Sequence, residues 1–261
     1  MSEINQSSQA TVLRLPPSAW QVQLLRLTAF LNPETEINHS SWWLDAVGES
    51  PDTQVTEPKS GKRKEEGTFE GGKLVLTVQP GRTDWVLGVA EPEFENDEFP
   101  NIGFFPQRLE AFCELVSRWF AVETLPAIGR LAFGTILYLP VESREMGYRQ
   151  LDAYLSSVQL DPIGSSDLVY QINRPRDSNS RVPELRINRL SKWSTSSFTP
   201  MAVRIDATSV DLGTPSFACC LQLDINTVQD FQGELDRAHV SEVWQELVDL
   251  GQEIIREGDI P

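Results

Sequence analysis

Histidine, cysteine and long apolar runs are what this 261-residue chain has least of, and each shortage closes off a class of function. Its two histidines, His39 and His239, and three cysteines, Cys113, Cys219 and Cys220, fall at no spacing that a structural zinc site uses. There is no C-x-x-C pair, and an odd cysteine count without a framework argues against a secreted disulfide scaffold. Adjacent Cys219 and Cys220 on a strand point to opposite faces and are poor partners for each other, so all three read as small buried apolar residues. The longest apolar run, Leu131 to Val141, is about half of the roughly 20 residues that cross a bilayer, and reads as a buried strand. The opening MSEINQSSQAT carries an acid and no hydrophobic segment, which suits a short frayed tail over 1–11 rather than a secretory signal. The expectation is a cytoplasmic protein with no membrane contact.

Also missing are the G-x-S-x-G elbow, the P-loop and the dinucleotide glycine fingerprint, so activated serine, nucleotide phosphate and nicotinamide chemistry lack their usual local geometry. Gly164-Ser165-Ser166-Asp167 superficially suggests a nucleophile turn, but it sits in a loop from Asp161-Pro162 whose small polar residues cap the entry to the next strand. No cofactor and no metal site is expected.

What the chain does have is ordinary globular composition, 40% hydrophobic and 23% charged, with a formal net charge of -16. Such acidity favours encounter with a basic partner and repels nucleic-acid backbones at long range. Hydrophobic periodicity places the elements. Trp20, Leu24, Leu27 and Leu31 fit a helical stripe, but Val22 to Leu31 also alternates as a strand apolar on both faces, the preferred reading because Pro16-Pro17 and Asn32-Pro33 bracket a run of strand formers; His39-Ser40-Ser41 then caps a short helix over Trp42 to Val47. Gly71-Gly72 and Pro80-Gly81 join Gly67–Phe69, Lys73–Val78 and Thr83–Val89 into a meander. An acidic loop over 91–98 precedes an amphipathic helix from about Pro106 to Val122. The order then recurs: a strand over Leu131–Leu139, a helix over Gly147–Val158, strands over Asp167–Asn173, Leu185–Leu190, Met201–Ala207 and Phe217–Ile225, and a closing helix over Val240–Arg256. The fold class that follows is α+β, two similar halves at 12–122 and 128–261, whose sheets either stand apart or join into one with helices on one side.

The strongest local signal is RPRDSNSRVPELRINRLSK, residues 174 to 192. Arg174, Arg176, Arg181, Arg186, Arg189 and Lys192 here face only Asp177 and Glu184. Repeated Ile172-Asn173-Arg174 and Ile187-Asn188-Arg189 triplets on two strands put Asn on one face and Arg on the other. Guanidinium forks bind carboxylate or phosphate bidentately, and Trp193 offers a stacking surface at the hairpin's end. Two readings stay open. The arginines are either an internal clamp on the chain's own acids, above all those of the 91–98 loop, or a recognition surface. Lys59, Lys62, Arg63 and Lys64 read as a solvated turn. Successive aromatics on a short helix do not both face one core, which offers Trp42 of the Trp42-Trp43 pair as an exposed interface anchor.

Three strings carry a family likeness: PPSAWQVQLLRLTAF near the start, RLAFGTILYLPVE in the middle, and LQLDIN, Leu221 to Asn226, before the closing helix. They resemble a sporadically distributed family of uncharacterised bacterial proteins of similar length. The family shows an aspartate after the isoleucine where this chain has Asn226, so a paired-acid site is not carried over. Its scattered occurrence implies an accessory component of an antiviral-defence or toxin-control system. The expected function is a non-enzymatic acidic adaptor or regulatory subunit that binds a companion protein through Arg174, Arg176, Arg186, Arg189, Lys192, Trp193 and Trp42. One alternative is a nucleic-acid sensor using the basic hairpin. A second is a hydrolase or nuclease with a carboxylate site that the sequence does not display.

Overall fold

The computed structural model describes residues 12–32, 41–90, 99–199, 201–203, 210–231 and 233–259. The first segment holds strand β1 (Gln21–Leu31), helix α1 (Trp42–Val47), strands β2 (Thr53–Glu57), β3 (Lys62–Phe69), β4 (Gly72–Gln79) and β5 (Arg82–Gly88), and helix α2 (Phe105–Phe120). The second holds β6 (Ile128–Val141), α3 (Arg144–Asp152), β7 (Val169–Asn173), β8 (Arg176–Asp177), β9 (Arg186–Phe198), β10 (Met201–Val203), β11 (Val210–Leu212), β12 (Ser216–Thr227) and α4 (Arg237–Glu257).

Ten strands form one antiparallel sheet in the order β2-β3-β4-β5-β1-β6-β12-β9-β7, with β8 also paired to β9, while β10 and β11 make a separate ribbon. The protein is therefore α+β, with helices packed on a sheet. Each segment contributes five strands to that sheet. They meet where β1 runs antiparallel to β6, with Arg26 opposite Gly134 and Leu27 opposite Phe133. Outward from this seam β5 and β12 occupy matching places, as do β4 and β9, and each segment closes with its longest helix.

Local chemistry explains the ends of these elements. Glu70 and Gly71 both take positive φ in the two-residue reversal between β3 and β4, the conformation that lets a tight turn follow strand twist. Pro106 opens α2 near its first position, where a missing N–H costs nothing. Ser143 accepts a hydrogen bond from Met146 N at the start of α3, and Asp236 accepts from Ala238 N and His239 N at the start of α4.

All four helices lie on one face of the sheet, and the core is there. Its largest members are aromatic: all seven tryptophans, Trp20, Trp42, Trp43, Trp85, Trp119, Trp193 and Trp244, are no more than 3% exposed. Trp42 meets Trp119 edge-on at 5.6 Å while Trp43 stacks on Trp85 at 5.8 Å. The exposed-anchor reading of Trp42 is thus overturned. Helix α1 is short and packs between α2 and the sheet, so consecutive side chains each reach a covered surface.

Other expectations are corrected in detail. The basic residues Lys62, Arg63 and Lys64 belong to β3 rather than to a solvated turn, and the next residue of that strand, Glu65, is buried. Strand β2 was not foreseen, and its five residues are all exposed. Helix α3 ends at Asp152, six residues before the expected Val158, although Tyr154 and Leu155 remain buried through a turn bonded to Leu151 O. Strand β9 continues through Ser191-Lys192-Trp193-Ser194 to Phe198, so Trp193 sits mid-strand. The 1–11 tail, the 91–98 loop and His39-Ser40 lie outside the described residues, as do parts of the expected 201–207 strand.

Candidate functional site

The two I-N-R triplets divide between the faces of the sheet as their alternation requires, and the arginine side turns inward. Arg174 donates from Nε to Asp259 Oδ1 at 2.8 Å and from Nη2 to Ser157 Oγ at 3.3 Å. Tyr170 donates to the other oxygen of Asp259 at 2.5 Å. Arg189, 3% exposed, and Arg176 both reach Glu253 Oε2 on α4, at 3.7 and 3.5 Å. Arg186 pairs with Asp177 at 3.3 Å in an exposed contact near the sheet's end. Four of the expected contact arginines are therefore engaged with the chain's own carboxylates. Those of Arg174, Arg176 and Arg189 lie in α4 and just after it. Trp193 is fully buried, stacked on Tyr154 at 5.4 Å with its Nε1 donating to Ser191 Oγ. It offers no stacking surface.

Electrostatics agree with an internal clamp. Burial pushes the Asp259 carboxyl up, but hydrogen bonds from Arg174 and Tyr170 outweigh that and hold it below the usual aspartate range. Burial lowers the Arg189 guanidinium, partly offset by Glu253. A groove of about 580 Å³ lies between Arg176–Ser180 and α4. Most of its acids have partners in the chain: Glu246 accepts from Ser178 Oγ and Asn179 N, Asp249 accepts from Gln245 Nε2, and Glu253 pairs with Arg176 and Arg189.

The asparagine side of the triplets faces the other way, onto the surface of the sheet that no helix covers. There a row of polar contacts crosses the second segment. Asn173 Nδ2 donates to Asn188 Oδ1 at 3.0 Å, Asn188 Nδ2 to Asn226 Oδ1 at 3.1 Å, and Asn226 Nδ2 to Asp224 Oδ1 at 3.0 Å. Beyond Asp224 the row reaches Arg26 on β1, with Nη2 3.9 Å from Asp224 Oδ2. The guanidinium spans β6 because position 134 has no side chain: a Cβ there would stand 3.0 to 3.3 Å from Nη2, Nε and Cζ. Asn226 is thus a link in this row.

No protein-family model, curated protein or solved structure matches this chain. The site is therefore described by its own chemistry. Two hollows of about 340 and 500 Å³ adjoin on the uncovered face and share Leu24 and Ile136 in their walls. Aliphatic side chains, Leu24, Ile136, Leu190, Val75 and Val86, line this trough together with Gln171 and Gln222. Among the described residues its charged lining is Arg26, Lys73 and Lys192 with the carboxylate Asp224. Towards one end, Glu66 accepts from both Lys64 and Lys73, whose hydrogen bonds pull its carboxyl below the ordinary value. On the β1 row below Arg26, the guanidiniums of Arg82 and Arg130 lie over Phe30 at 5.7 and 4.7 Å.

Of the residues singled out from the sequence, only Lys192 reaches this trough. Arg26, Gly134, Gln171, Gln222 and Asp224 were missed. A cation inside LLRLTAF and a glycine inside LAFGTIL were the available signals, and only the register of β1 on β6 brings them together. Gly164-Ser165-Ser166-Asp167 is a loop as expected, with Asp161 Oδ1 accepting from Ile163 N and Gly164 N. Among the described residues no three histidine, cysteine, aspartate or glutamate side chains are grouped to hold a metal ion.

Proposed function

We propose that the protein is a non-enzymatic adaptor whose uncovered sheet face docks an acidic segment of a partner protein. The observation that carries this reading is the trough: among the described residues Arg26, Lys192 and Lys73, the last of them paired with Glu66, stand with the lining carboxylate Asp224 on an aliphatic floor, in a chain of net charge -16. At physiological salt the screening length between solvent-exposed charges is about 8 Å, so a docked segment senses first the charges that it touches. A docked segment responds to the cations beneath it more than to the acids behind the sheet. The proposed contact lies on the sheet face opposite the inward-turned arginines, and like the arginine hairpin it calls for an acidic partner. An antiviral-defence or toxin-control setting rests on the family resemblance alone.

A peptide suits the face better than a nucleic acid. Among the described residues Phe30 lies under two guanidiniums and Tyr138 packs against Phe99 at 4.8 Å, which leaves these rings poorly placed for base stacking. The hydrolase alternative needs a carboxyl raised to act as an acid. Among the described residues the carboxyls with displaced titration, Glu66, Glu145, Asp161, Asp236 and Asp259, are displaced downward, as ion pairs and turn caps displace them.

The test combines capture from the native host with lysine footprinting of the purified complex. The bound partner should shield Lys73 and Lys192 from acylation but leave Lys59 open, and Lys73→Glu with Lys192→Glu should abolish capture. Arg186→Glu, away from the trough, should not. A nucleic acid in place of a protein, or a protein that leaves both lysines reactive, defeats the proposal.

A further inference from the structure

The hollow over Gly134 contains a cation that its own fold leaves under-satisfied. Arg26 Nε is buried with no hydrogen-bond partner, and its contact with Asp224 at 3.9 Å is an ion pair too long to be a hydrogen bond. Across the same hollow of about 340 Å³ stands Lys192, which has no ion pair among the described residues. Only Nε is buried, while the side chain as a whole is 34% exposed, so an acceptor arriving from outside meets the outer nitrogens of the guanidinium. Gly134 gives the guanidinium its close seat on β6, since a Cβ there would push Nη2, Nε and Cζ away by a few tenths of an ångström.

Net charge and lining define the ligand. Arg26 and Lys192 against Asp224 leave one positive charge, which matches a carboxylate monoanion better than a phosphate dianion. Leu24, Ile136 and Leu190 wall the hollow with aliphatic surface, and Gln171 and Gln222 add amide donors. We propose that this hollow is a carboxylate-binding site for an acidic side chain flanked by aliphatic ones, the anchoring contact of the acidic segment; its natural ligand rests on the docking reading above.

The probe is 4-methylpentanoate, titrated into the labelled full chain while backbone amides are followed by NMR, with 4-methylpentanamide and inorganic phosphate as controls. Saturable shifts are expected around Gly134, Lys192 and Gln222, with each control weaker by about tenfold or more. Arg26→Gln and Lys192→Gln should each weaken the carboxylate by about tenfold, the scale of a lost charge-assisted hydrogen bond. Lys192 is on the surface, so its variant decides the matter if Arg26→Gln does not fold. Equal binding of the amide, tighter binding of phosphate, or full affinity in Lys192→Gln overturns the site. Carboxylate binding without any protein partner over Lys73 and Lys192 would keep the site and remove the docking reading. A partner on that face with no carboxylate binding would do the reverse.

Discussion

Arg174 donates from Nε to Asp259 at 2.8 Å, joining β7 to the residues just beyond the last helix across 85 positions of sequence. Asp259 is 3% exposed and Arg174 about a quarter exposed, so the pair is partly desolvated. Removing one partner of a fully buried pair costs about 3 to 5 kcal/mol, and exposure of the arginine reduces that here. Arg174→Met and Asp259→Asn should each lower unfolding stability by about 2 kcal/mol in urea titrations, with sub-additive loss in the double variant. Because the folded carboxyl is depressed, its contribution is present above the unfolded pKa of about 4 and is lost as pH falls through the folded value. Wild-type stability should therefore decline more steeply than that of Asp259→Asn below about pH 4.

Gly258, one residue earlier, makes that junction possible. Its φ of 81° and ψ of -152° lie where only glycine is comfortable, and a Cβ would stand 2.2 Å from Tyr154 O. Gly48 also has positive φ, 91°, but its Cβ would meet nothing within 4 Å. Gly48→Ala should cost about 1 kcal/mol and Gly258→Ala more than about 3, read as shifts in denaturant midpoint. Equal losses would mean that the approach to Tyr154 relaxes freely.

Much of this architecture was legible because strand alternation and turn chemistry are local. The meander bounded by Glu70-Gly71 and Pro80-Gly81, the amphipathic α2 and α4, and the opposite faces of the I-N-R triplets all follow from short-range pattern. What failed depended on partners distant in sequence. Ser194, Ser196 and Ser197 have modest intrinsic strand preference, yet β9 runs through them because β12 pairs with that stretch. Trp42 and Trp43 both find core because α2 covers the outer side of their helix. The trough needed the register of β1 on β6 and of β12 on β9, which no local pattern fixes.

The cysteines make a separate test of burial. Desolvation pushes the Cys113 thiol to about 11 and the Cys219 thiol to about 12, and raises Cys220 as well. At pH 8 the thiolate fraction is then about one in a thousand at Cys113 and one in ten thousand at Cys219. A disulfide reagent should titrate no thiol within minutes in the native protein and three after addition of guanidinium. One rapid equivalent without denaturant would show that the cover over Cys113 opens.

The sharpest comparison lies within helix α1, where two neighbouring residues separate core from surface. Trp42 is fully buried, edge-on to Trp119, with Nε1 donating to Thr124 Oγ1 at 3.1 Å. Leu44, two positions later, is 51% exposed. Large aromatic truncations in a core cost about 3 to 5 kcal/mol, whereas exposed substitutions stay within about 0.5. Trp42→Ala should therefore lose most of the protein's stability and Leu44→Ala almost none. Partner capture by a Trp42→Phe variant that remains folded should be unimpaired, since this ring supports the helical layer while the proposed contact lies on the opposite face. Loss of capture without loss of stability in Trp42→Phe would instead return the contact to the helical side, and the cations of the trough would then need another explanation.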